Sequence, residues 1–188
     1  MNKIAVPTED YKQFEKIGNR YYVRVFPKET NSGESIVAYE KSFTYMPSQE
    51  EVEAVEQECV NDVKERLLMA IKNYDTSEAV NAFIVNGITA WLDKATRVGL
   101  VNSANAAKAE GIDEITLWLG THAFTVGCDT LAVMLNKLEL YAMQCYNKTA
   151  EHLASVEEET GIDVLETYDY TAGYPEKLEF TLNTAQEA

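Results

Sequence analysis

The chain has 188 residues, 46% of them hydrophobic and 25% charged, which is the balance of a folded protein of one average domain or two small ones. Sixteen Lys and Arg against 31 Asp and Glu give a net charge of −15. A surface that acidic repels phosphates, so neither nucleic-acid binding nor polybasic membrane attachment is expected.

No run of residues approaches the ~20 apolar positions of a membrane span, so no membrane insertion is expected. The leading segment MNKIAVPTEDYKQFEK lacks the apolar core of a signal peptide. Cys59, Cys128 and Cys145 are odd in number and widely spaced, and they read as buried free thiols rather than a disulfide framework.

Residues 1–19 show no clear period and read as a loose start. The β-branched and aromatic runs RYYVRVF (20–26) and SIVAYEKSFTY (35–45) predict a hairpin, with 27–34 as its polar turn. Ser48 and Glu51 have the spacing of a capping box. Behind them Val52, Val55, Cys59, Val63, Leu67, Ala70 and Tyr74 form one apolar stripe, which predicts a helix over 48–73.

Asn86-Gly87 lies between two apolar runs, FIV and ITAWL. The pair favours the positive φ angles of a type I′ turn, so a tight hairpin is expected. Asp93 is placed to cap a helix from about Lys94 to Gly111. A second hairpin is expected over 115–127, turning at Gly120-Thr121, and then a second helix over 129–158 capped by Asp129. The recurring order suggests an internal duplication of hairpin plus helix. The stripe Leu131, Met134, Leu135, Leu138, Tyr141, Ala142, Cys145, Thr149, His152, Leu153 and Val156 marks a core face, or a seam to another chain. A short helix near 163–168, a strand over KLEFTL (177–182) and a frayed tail at 183–188 complete the prediction.

The fold class read from these elements is α+β, with antiparallel β-hairpins packed on long α-helices. Segment by segment, 1–47 is a hairpin region, 48–78 a connecting helix and 79–182 a hairpin-helix-hairpin-helix domain ending in a strand.

Motifs that carry chemistry are scarce. His122 and His152 lie far from any ligand-like spacing, and no phosphate cradle, nucleophile elbow or calcium loop occurs in the sequence. The acidic runs at 50–53 and 157–159 read as solvated helix termini. No catalytic, cofactor-binding or metal-binding residue is nominated, and no cofactor is expected. Trp91 and Trp118 sit beside apolar neighbours, which favours core packing over ligand stacking. Tyr168, Tyr170 and Tyr174 cluster in TYDYTAGYPEKLEF, either as a contact surface or as closure of a sheet edge. Together with Leu138 and Tyr141, they are the candidate partner-contact residues.

Several segments carry a family resemblance in order and spacing: FIVNGITAWLD (83–93), TRVGL (96–100), TLWLGT (116–121), LELYA (138–142), CYN (145–147) and YDYTAGYPEKLEF (168–180). On them, the stretch from about Val80 to Leu182 resembles a bacteriophage and prophage family, a tail-associated domain of unknown function common in prophages of gut anaerobes. Members sit among tail and fibre genes without assigned chemistry. The resemblance implies a non-enzymatic virion component made in the bacterial host cytoplasm. Such a component would act through contacts with other virion proteins, as a homo-oligomer. A soluble fibre-assembly chaperone is the alternative expectation, and a glycan hydrolase the third.

Overall fold

The computed structural model describes residues 1–184. It is α+β, and the chain divides into two compact units. The first comprises Met1–Met69 and Ser155–Tyr168, the second Ala70–Ala154 and Asp169–Ala188.

The first unit holds a four-stranded antiparallel sheet of β1 (Asn2–Pro7), β2 (Phe14–Ile17), β3 (Arg20–Glu29) and β4 (Ser35–Phe43), in the order β1-β4-β3-β2. Residues 1–19 are therefore not a loose start, because they supply both edge strands. Their side chains are mostly exposed, so they lack the apolar alternation that would reveal a strand. The hairpin of β3 and β4 forms as expected, but β3 runs on through Pro27 to Glu29. The register shifts between Val25 and Lys28, and Phe26 takes a φ of 52°, so a bulge absorbs the proline.

Beside Val23 and Val25, Arg24 is also buried. Its guanidinium donates to Glu40 at 2.9 Å, to the Lys12 carbonyl at 2.9 Å and to Glu15 at 3.1 Å, which offsets the cost of taking a charge from water. Helix α1 (Gln49–Asp75) begins with the expected capping box. The Ser48 amide donates to Glu51 at 2.8 Å, and the Glu51 amide donates to Ser48 Oγ at 3.2 Å. Val55, Cys59 and Val63 are buried along it.

In the second unit, α2 (Glu78–Asn81) precedes the hairpin of β5 (Phe83–Val85) and β6 (Ile88–Ala90). Asn86 and Gly87 both have positive φ, 49° and 80°, the type I′ pattern. Helix α3 (Lys94–Ala109) starts with the Asp93 carboxylate accepting from the Thr96 amide at 2.9 Å. It ends in a Schellman motif: Gly111 at φ 75° donates to Lys108, and Ile112 donates to Ala107.

Next come β7 (Glu114–Leu119) and β8 (His122–Gly127), then α4 (Cys128–Glu158). Asp129 lies inside the first turn of α4 rather than at its cap, and it pairs with Lys108. Hairpin and helix thus follow each other twice. The turns differ, since only Gly120 has positive φ in the second, and the helices span 16 and 31 residues.

Two three-stranded sheets result, β6-β5-β9 and β7-β8-β10, where β9 is Glu179–Phe180 and β10 is Asn183–Thr184. β9 pairs parallel to β5, a departure from purely antiparallel hairpins. Only two residues of the expected strand 177–182 pair in β9. Asn183 and Thr184 pair with β8 instead of fraying, and the rest of the expected tail, 185–188, lies outside the described residues.

The core of this unit is formed by Phe83, Val85, Leu117, Leu119, Phe124, Val126 and the inner face of α4 from Leu131 to Leu138. Among the described residues, no helix is long and apolar enough to cross a membrane.

These units do not follow the expected segments. α1 is shared between them rather than forming a separate connector. The last turn of α4 and helix α5 (Ile162–Glu166) return to the first unit. A reading along the chain sees contiguous stretches and misses such a return.

Candidate functional site

The structure redistributes the sequence candidates. Leu138 and Tyr141 are buried, 5% and 6% exposed, on the inner face of α4. Leu138 joins the main core of the second unit, and Tyr141 packs with Val80 and Cys145. They are core residues, so a seam to another chain cannot be made from them. Burial pushes the Tyr141 hydroxyl and the Cys145 thiol up.

Tyr170 and Tyr174 are half-buried against Tyr74, edge-on at 5.8 and 5.3 Å between ring centroids. The Tyr174 hydroxyl lies 2.8 Å from Thr149 Oγ1, and its ring stacks on His152. His152 is itself buried, with Nε2 2.9 Å from the Ala172 carbonyl. This aromatic group holds the segment after Asp169 onto α4. Tyr168 is half-buried and belongs to the first unit, whereas Tyr170 and Tyr174 belong to the second.

The three thiols are buried and free. Among the described residues, no cluster of three or more His, Cys, Asp or Glu could hold a metal ion.

Trp91 and Trp118 overturn their expected place in the core. They are 48% and 63% exposed. Strand alternation explains both positions. On β7, Ile115, Leu117 and Leu119 turn inward, while Glu114, Thr116 and Trp118 turn outward. Trp91 keeps the outward parity of Thr89, and Leu92 the inward one.

The two tryptophans line one groove of about 490 Å³, together with Ile88, Thr89, Ala90, Leu92, Leu119, Gly120, Thr121 and His122. Its walls are β6 with the two residues that follow it, and the β7–β8 turn. The turn at Asn86-Gly87 fixes where β6 starts, and the turn at Gly120-Thr121 forms part of the other wall. The groove offers two large aromatic faces, two hydroxyls and an imidazole. Among the described residues, no carboxylate and no thiol lines it. Exposed aromatic surface of this kind is costly to leave in water and marks contact sites.

A second cavity, about 160 Å³, lies beside Arg97, Asp75 and Cys145. Arg97 is already engaged there, donating to the Leu92 carbonyl at 2.7 Å and to Glu139 at 3.1 Å.

Comparison of this chain with protein-family models, with curated proteins and with solved structures gives no match.

Proposed function

We propose that the chain is a non-enzymatic contact protein, a tail- or fibre-associated virion component that binds other virion proteins through the tryptophan groove. The single observation that carries the contact reading is the exposure of both tryptophans on one groove of the second unit. Tryptophan supplies large contact area at low entropic cost and is enriched where proteins meet. The tail or fibre setting rests on the resemblance of the segment Val80–Leu182.

Among the described residues no carboxylate lines the groove, so the acid pair that glycoside hydrolysis uses finds no support at this site. Mass spectrometry of purified particles tests the setting. A virion component is recovered with the particles at a fixed ratio. Its absence from particles, with the protein abundant in the lysate, would replace this reading by the assembly-chaperone one.

A further inference from the structure

We infer that the groove takes its partner as an added β-strand: an extended segment of another protein, flanked by Lys or Arg, that pairs with the free edges of β6 and β7. This deepens the contact reading above and rests on it.

The sheet orders β6-β5-β9 and β7-β8-β10 leave β6 and β7 at sheet edges. Each is joined to its partner by a two-residue turn, closed by the pairs Val85–Ile88 and Leu119–His122. In such hairpins the closing pair exchanges both of its hydrogen bonds, and the next pair exchanges none. That next pair is Ile84–Thr89 in one hairpin and Trp118–Ala123 in the other. Thr89 and Trp118 therefore aim their backbone N–H and C=O groups away from their own sheets. Both residues line the groove.

Native edges are commonly blunted by lysine, proline or shortness. Elsewhere in the chain they are: β1 carries Lys3 and Pro7, β2 carries Lys16, and β9 and β10 are two residues long. β6 (Ile-Thr-Ala) is itself short, at three residues, whereas the six-residue β7 (Glu-Ile-Thr-Leu-Trp-Leu) carries neither lysine nor proline. Among the described residues no strand pairs with the outer edge of either, and Trp118 on β7 and Trp91 just after β6 are exposed.

Main-chain groups on an open edge are matched by an extended backbone, as in strand addition, while Trp91 and Trp118 provide surfaces for alternate side chains of the guest. Charge selects the guest's flanks. The second unit has thirteen Asp and Glu against seven Lys and Arg, so a basic segment is attracted and a second copy of this chain is repelled.

The test pans a library of random dodecapeptides against the intact protein and against the Trp91→Ala/Trp118→Ala variant, then measures affinity for the best synthetic peptide. The expected winners bind only the intact protein, alternate apolar and polar residues, and carry Lys or Arg. N-methylation of their alternate amides weakens them about tenfold or more, as lost main-chain hydrogen bonds require. The Thr89 and Trp118 amides then gain hydrogen-exchange protection on binding. Winners that are proline-rich or helix-patterned, or that tolerate N-methylation, overturn strand addition while leaving the contact site standing. Pairing of two copies in place of peptide capture overturns the choice of guest. Winners that bind the double variant equally well overturn the contact reading itself.

Discussion

The Asn86 side chain treats Leu182 as one strand treats another. Its Nδ2 donates to the Leu182 carbonyl at 2.7 Å, and the Leu182 amide donates to its Oδ1 at 2.9 Å. One residue thus forms the tight turn and ties the C-terminal segment to it. Asn86→Gly keeps the positive φ but loses both bonds, and should cost about 1–3 kcal/mol. Asn86→Ala adds left-handed strain of about 1–2 kcal/mol and should melt lower still. Urea melts of the two variants check the order.

Leu138→Ala should lower stability by about 2–5 kcal/mol, as expected of a core leucine. Light scattering should record no change of mass at concentrations where the fold persists. A seam residue would show the opposite pattern, with a changed mass and unchanged melting.

Glu166 accepts from Lys3 at 2.6 Å, Tyr39 at 2.7 Å and Lys28 at 2.9 Å. Burial alone would raise its carboxyl, but these donors outweigh burial and bring it down to about 2. A carboxyl depressed by folding favours the folded state above its unfolded value, near 4.5. That contribution is lost as the pH falls from there toward 2. Glu166→Gln should reduce stability at pH 7 and flatten its decline below pH 4.5, as read from thermal melts across pH.

The chain's only two tryptophans both line the groove, so its indole fluorescence reports on that site alone. Native emission should be red-shifted relative to a buried indole and readily quenched by acrylamide, an uncharged quencher that the acidic surface does not repel. Bound partner should shift it to the blue and shield it.

Cys59 is fully buried, and burial, with Asp62 nearby, pushes its thiol up to about 11. A thiol reagent at pH 8 should leave it unmodified in the native protein and react once urea unfolds the chain. Mass spectrometry of the labelled peptides distinguishes the two states.

Local signals were legible where one short segment contains the whole cause. The Ser48–Glu51 capping box, the Asn86-Gly87 turn, the Asp93 cap and the α4 stripe each need only a few neighbouring residues. Contacts that need the tertiary fold were not. Glu166 meets Lys3 across 163 positions of sequence, and Arg24 finds Glu15 through a strand whose exposed residues hide its period. Trp118 was readable in principle, because it shares parity with Glu114 and Thr116 rather than with Leu117 and Leu119. Its pairing with Trp91 on one groove was not readable, since two different sheets supply the walls.

The most direct test compares Trp91→Ala/Trp118→Ala with the unmodified chain, after melting has shown that both fold. The measured quantity is the amount of each recovered with purified particles from the same host. If the tryptophan groove makes the contact, recovery of the double variant falls about tenfold or more, consistent with the loss of two interface anchors. Equal recovery of the two proteins, at equal stability, would contradict it.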